Sequence, residues 1–359
     1  MSDFDKLANA LEKSIGANDT PAQVKYWLDT GLPELNAAAS GRYDGGFPVG
    51  RIVEISGDAS SGKTVIATRL MTEAQMSGGI AAFHDHERTF SEKLAERNGL
   101  SLERGQWLYK KPDTFEDSFE MFAKAVSIIR ESKLIPEDAP ICYVFDSFAA
   151  MIPASQFGKD FNKLNMNDTT ALARVASQVM KQVAVLAEKY NVLVIILNQI
   201  REKPGVIYGS NKETAGGKAL KFYASIRISL SSSKIKSGDE IVGNHIRALF
   251  IKNKVTRPFT CAEYDFIFRE DGTGDIDNIG STLEFMGRKG LIEKAGSYYK
   301  WGGKKMYMSA IKKEVAEVGG MKLLEGVLEG KSVEIEIDKD AEAAAERLKE
   351  EGLADLEGI

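Results

Sequence analysis

The sequence has little cysteine: two thiols, Cys142 and Cys261, in 359 residues. They lie far apart in apolar, strand-like stretches, so neither a disulfide framework nor a paired-cysteine metal site is expected, and both read as buried free thiols. No apolar run approaches the ~18 residues of a membrane span. The opening MSDFDKLANALEKSI is an amphipathic mix of acids and bases rather than a secretory signal. A soluble cytoplasmic chain with no membrane partner is therefore expected. No internal repeat is visible, and no single sign of charge dominates. The net charge is −5, with 28% charged and 43% hydrophobic residues. That balance suits one main globular domain and a smaller appendage.

What charge asymmetry exists is concentrated at one end. Residues 333–359 hold ten acids against three bases, or −7, which leaves the rest of the chain at +2. An acidic total thus does not exclude a nucleic-acid partner, because phosphate is bound by a local basic surface. At the other end Phe4, Leu7, Ala8, Leu11 and Ile15 recur at helical spacing, which predicts a short amphipathic helix over 3–15 followed by the polar joint GANDTPAQ. So short a helix needs a surface to lie on, either its own domain or a neighbouring subunit. Between about 39 and 269, runs apolar at nearly every position (RIVEIS, IAAFHD, ICYVFD, NVLVIILNQI, SIRISL, IRALFIKNK) alternate with helical patterns. Such runs suit strands buried on both faces, which predicts an α/β core with a mostly parallel sheet covered by helices. Residues 271–332 change character, with Gly-rich and short helical stretches that read as a small second domain.

RIVEIS is followed directly by GDASSGKT, residues 57–64, and then by a helical pattern. Strand, G-x-x-x-x-G-K-S/T loop and helix in that order form a phosphate cradle. Gly57, Asp58, Ala59, Ser60, Ser61 and Gly62 wrap the phosphates with backbone amides at a helix N-terminus. Lys63 brings a point charge to the β and γ phosphates, and Thr64 is placed to ligate Mg2+. ICYVFDS ends in Asp146, the expected second metal-side acid at a strand end. To activate water, Glu87 at the end of IAAFHDHE is the candidate base, with Asp85 as the alternative. The same stretch holds His84 and His86, an H-x-H pair that is either a partial metal site without a clear third ligand or ordinary packing.

Taken together, these residues resemble those of a known family. The P-loop, FHDHE, VFDS, NQIR, GGKALKFYASIR, IKNK and GLIEKAG, in that order, are similar to bacterial RecA and its phage-encoded relatives. The resemblance runs from RIVEIS through GLIEKAG and is strongest from Asn198 to Arg227. It implies an α/β, RecA-type P-loop ATPase core with an N-terminal oligomerisation helix and a small α+β C-terminal domain. The corresponding division is 1–38 for protomer packing, 39–270 for the core with its DNA-binding loops, 271–332 for the small domain and 333–359 for an acidic tail. The activity implied is an ATP-dependent homologous recombinase, a DNA-stimulated ATPase that uses ATP and Mg2+. Its partners would be single-stranded DNA, double-stranded DNA and copies of itself in a helical filament.

By position, the resemblance makes Gln199 the sensor of the γ-phosphate and Lys252 and Lys254 lysines that reach the ATP of an adjacent subunit. Phe222 becomes an interface residue coupling ATP to DNA affinity. Two loops would line DNA. The first, 155–168, carries Phe157, Lys159, Phe161 and Lys163, a composition suited to backbone contact with stacking. The second, 202–217, ends in Gly216 and Gly217, where backbone amides can approach phosphates. Arg174 and Arg201 match DNA-contact arginines. Lys181 replaces a further arginine and would act as a point charge rather than a fork. The family's adenine-stacking tyrosine falls at Leu94 and its neighbouring acid at Ser91, and an inserted apolar loop residue falls at Pro204. Two other functions use similar parts. A ring helicase would need a loading domain for which the length leaves no room, and a non-catalytic recombinase partner would not need Lys63, Glu87, Asp146 and Gln199 together.

Overall fold

The computed structural model describes residues 2–16, 23–160, 170–202 and 212–330, without the side chains of 201, 202 and 212. In chain order the first elements are α1 (Asp3–Ile15), β1 (Trp27–Leu28), α2 (Pro33–Ser40), β2 (Phe47–Pro48), β3 (Ile52–Gly57), α3 (Lys63–Met76), β4 (Ile80–Asp85) and α4 (Glu92–Arg97). Next come β5 (Trp107–Lys110), α5 (Phe115–Glu131), β6 (Ile141–Asp146), α6 (Ala171–Lys189), β7 (Val192–Glu202), β8 (Lys212–Thr214), α7 (Ala219–Tyr223), β9 (Ile226–Ser237) and β10 (Glu240–Asn253). The rest are β11 (Cys261–Phe268), β12 (Gly274–Ile276), α8 (Asn278–Arg288), β13 (Lys294–Ala295), β14 (Tyr298–Trp301), β15 (Lys304–Met306), α9 (Met308–Val318) and α10 (Gly320–Leu328).

The apolar runs build one ten-stranded sheet in the order β12-β11-β10-β9-β3-β7-β6-β4-β5, with β8 pairing β7. Along the path from β9 to β5 every neighbour is parallel, while β8 pairs β7 antiparallel. β10, β11 and β12 extend the sheet antiparallel. Alternation along the central strands divides their side chains between two cores. Val53, Ile55, Phe83, Val144 and Ile195 face Ile66 and Leu70 of α3. Ile52, Ala82, Tyr143, Phe145 and Ile196 face Phe122 of α5 and Met180 and Val183 of α6. Burial on both faces is why these strands are apolar at successive positions instead of alternating. The carboxyl ends of the parallel strands therefore emerge side by side between the two helical layers, where open α/β sheets bind ligands.

The ends of the chain differ. α1 has a capping box between Ser2 and Asp5 but buries no residue, leaving Phe4 83% and Ile15 80% exposed. α2 spans residues 38 and 39, and its Leu35, Ala38 and Ala39 join the main core. Beyond residue 270, β12 is still an edge of the main sheet. α8 to α10 and the small sheet β13-β14-β15 enclose a third core around Leu283, Met286, Trp301, Ile311 and Leu324. Arg288 of α8 ties this unit to α2 through Glu34 at 2.6 Å.

Candidate nucleotide site

β3 runs into Gly57–Gly62 and α3 begins at Lys63. The turn requires left-handed backbone at Ser60 and Gly62, with φ of 59° and 90°. A Cβ on Gly62 would stand 2.6 Å from Ile246 of β10, which crosses the loop, so glycine is demanded by conformation and by space. No side chain caps α3. Its first amides are thus open to an anion, and Ser61 Oγ in the same turn is buried without a partner. Lys63 Nζ donates to the carbonyls of Gly57 at 3.1 Å and Asp58 at 2.8 Å, which holds it against the turn. Burial lowers the Lys63 pKa, against the pull of Asp146 and Glu87. Thr64 Oγ1 donates to Asp146 Oδ2 at 3.1 Å. A hydroxyl and a carboxylate so placed beside the cradle form an oxygen donor set that fits Mg2+. Burial, then the nearby Glu87, pushes the Asp146 carboxyl up to about 7.

The two candidate bases separate completely. Asp85 accepts from the amides of Arg88, Thr89 and Phe90 and from the Tyr109 hydroxyl at 2.8 Å, so it organises the turn after β4 and faces away from the cleft. Glu87 lines the cleft. Its amide is pinned to the Asp146 carbonyl, and its Oε1 accepts from Ser147 Oγ and from Gln199 Nε2 at 2.7 Å. Sheet register brings these parts together, since Gly57 pairs with Gln199 and Asp85 with Asp146 across neighbouring parallel strands. The histidines converge elsewhere: His84 Nδ1 and His86 Nε2 both meet Ser118 Oγ, and Tyr143 holds the other nitrogen of His84. Burial drives their pKa values down to about 3 and about 4. With these ring nitrogens engaged by Ser118 and Tyr143, the H-x-H pair packs between β4, β6 and α5.

The cleft holds about 660 Å3 and is walled by the P-loop, Glu87, Asp146, Gln199 and, from the antiparallel extension, Asn244, Ile246, Phe266 and Phe268. Residues 16–273 match the RecA N-terminal domain family. The chain belongs to the RecA family. RecA of Leptospira meyeri is 36% identical over 311 residues, covering 84% of this chain and 75% of that protein. RecA of Paracoccus denitrificans is 34% identical, covering 84% and 82%, and that of Bacteroides thetaiotaomicron is 36% identical, covering 82% and 86%. The resemblance read from the motifs and the α/β core with its mostly parallel sheet agree with this membership.

The other residues singled out in this RecA-family chain lie outside the lining of this cleft. Arg174 and Lys181 stand two turns apart on one exposed face of α6. Phe157 and Lys159 are exposed after β6, whereas Phe161, Lys163, Pro204 and the acidic tail lie outside the described residues. Arg201 is placed in β7, opposite Glu213 of β8, by its backbone alone. Gly216, at φ 85°, approaches Phe148 so closely that a Cβ would lie 2.1 Å from the ring. Phe222 is 67% exposed on α7. Lys252 and Lys254, which the resemblance assigns together to the ATP of an adjacent subunit, have different surroundings. Lys252 Nζ donates to the carbonyls of Lys221 at 2.6 Å and Phe222 at 3.0 Å, while Lys254 is exposed beyond the end of β10. Burial and then Lys254 lower Lys252 to about 8. Leu94 packs on the main core and Ser91 Oγ accepts from the Leu94 amide, capping α4. Sequence reasoning missed the contact of Ser147 with Glu87 and the whole wall from Asn244 to Phe268. The first is adjacent to Asp146 and could have been suspected; the second depends on long-range strand pairing and left no local signal.

Proposed function

We propose that this chain is an ATP-dependent homologous recombinase that forms a helical filament on single-stranded DNA, searches duplex DNA for homology and promotes strand exchange. The observation that carries it is the hydrogen bond from Gln199 to Glu87. It joins the candidate base to the strand that leads directly into the second DNA loop. ATP would lie with its phosphates on the amides of Gly57–Thr64, with Lys63 turning from loop carbonyls to the β and γ oxygens. Thr64 and Asp146 would hold Mg2+, which neutralises charge on those oxygens. Glu87 takes a proton from water as its oxygen attacks the γ phosphorus, and the bond to the β-γ bridging oxygen breaks. Gln199, released from Glu87, can donate to a γ oxygen and shift β7 and its loop with nucleotide state.

Assembly supplies the remaining parts. The unburied apolar face of α1 suits a groove on a second copy, and Lys252 and Lys254 would approach the γ-phosphate of a neighbouring subunit as an arginine finger does. DNA would run over Arg174, Lys181, Arg201 and the two loops. ATP hydrolysis measured with and without single-stranded DNA, alongside joint-molecule formation from homologous strands, tests the assignment. Stimulated hydrolysis and ATP-dependent joint molecules are expected. Directional unwinding without pairing would replace it with a helicase.

A further inference from the structure

A carboxylate lies where the central sheet should be purely apolar. Glu54, in the middle of β3, is 0% exposed. Its Oε2 is paired with Arg227 Nε of β9 and its Oε1 accepts from Asn198 Nδ2 of β7 at 2.9 Å. Neither partner stops there. Asn198 Nδ2 also donates to the Ala215 carbonyl at 3.1 Å, and its Oδ1 accepts from the Gln199 amide at 3.0 Å. Arg227 Nη2 reaches Thr214 Oγ1 at 3.4 Å. Thr214 pairs with Ile200 at the base of the β7-β8 pair that closes the second loop. A buried pair of charges rarely stabilises a fold more than well-packed apolar side chains of similar size, because desolvation offsets the attraction. Fully satisfied polar networks instead fix one arrangement.

We infer that Glu54, Arg227 and Asn198 are positioning residues that clamp both stems of the second DNA loop to the nucleotide-binding strand, so that movement at Gln199 is transmitted to the loop. One stem is held at the Gln199 amide and the other at Thr214 and Ala215, with both anchors meeting on a single carboxylate of β3. Glu213, next to Thr214, extends the clamp to α7 through Lys221 at 2.7 Å. Without the clamp Gln199 can still meet a γ-phosphate, but its shift is absorbed in β7 before it reaches the far stem. The inference rests on the recombinase assignment and adds the side chains that carry its coupling.

The test compares the native chain with Glu54→Gln and with the double variant Glu54→Met/Arg227→Met, which removes both charges at similar volume and keeps the fold measurable should the single variant not fold. Three quantities are read: thermal midpoint, affinity for a fluorescent ATP analogue, and the ratio of single-stranded DNA affinities with ATPγS and with ADP. The double variant is expected to fold and to bind nucleotide within about 2-fold of native, while the DNA-affinity ratio falls by about 10-fold or more. Arg227→Lys, which keeps the charge, is expected to recover part of the ratio. A folded double variant whose ratio matches a responsive native protein overturns the inference alone. A native protein whose DNA affinity ignores nucleotide overturns the recombinase assignment together with it.

Discussion

Asp85 and Glu87 are alike in chemistry and close in sequence, yet the fold gives them different surroundings. Asp85 is consumed by three amides and a phenol, whereas Glu87 meets two movable side-chain donors among the described residues and faces the cleft. Glu87→Gln is therefore expected to bind ATP normally and lose turnover by about 10²–10⁴-fold, as removal of a general base does. Asp85→Asn should retain most turnover in the folded fraction but lose about 1–3 kcal/mol of stability, read by urea unfolding. Loss of chemistry in Asp85→Asn with normal rates in Glu87→Gln would reverse the two roles. The buried histidines make a separate claim. Their folded pKa values, about 3 and about 4, lie below the ordinary value of 6.5. Between pH 6.5 and 4 the unfolded chain therefore binds more protons, and stability rises with pH across that window. The urea midpoint should fall as pH is lowered from 6.5 to 4.5, and His84→Asn/His86→Asn should flatten that slope. An unchanged slope would place the acid sensitivity elsewhere.

At the scale of elements, the strands apolar at nearly every position were legible because burial on both faces favours that pattern. The P-loop, Thr64 and Asp146 were legible because their spacing is local. The long antiparallel β9-β10 ribbon and its lining of the cleft were not, since nothing near Asn244 or Phe266 in sequence says that they cross the P-loop. The lysines of IKNK show the same limit: the motif names both, but only packing shows that Lys252 is tied to the end of α7 while Lys254 is exposed. Reaching a neighbour's nucleotide thus means that Lys252 leaves the carbonyls beneath Phe222, which links ATP contact to the exposed aromatic of α7. Mixing Lys63→Ala with Lys252→Ala/Lys254→Ala, each inactive alone, should restore part of the DNA-dependent ATPase. No recovery despite proven co-assembly would place the lysines outside a shared site. For α1, Leu7→Glu/Leu11→Glu should abolish assembly while shifting monomer stability by no more than about 0.5 kcal/mol, because neither side chain is buried. A large loss of stability would show that α1 packs on its own subunit.

At the scale of the molecule, the charge is divided between a body of +2 and the −7 carried by residues 333–359. In the proposed recombinase a tail of that sign would compete with DNA for basic surface, and salt would screen the competition over a Debye length of ~10 Å at 0.1 M. Deleting residues 333–359 should strengthen duplex binding chiefly at low salt; equal affinity at low salt would reduce the tail to a solubilising appendage. The central claim concerns assembly, because the proposed function would bring the P-loop of one copy, the lysines of another, the exposed face of α1 and the DNA loops together only in a polymer. Electron microscopy of the full chain with single-stranded DNA and ATP tests this most directly. The expected image is a continuous right-handed filament that is absent with Lys63→Ala. Closed rings, or filaments indifferent to Lys63→Ala, would contradict it.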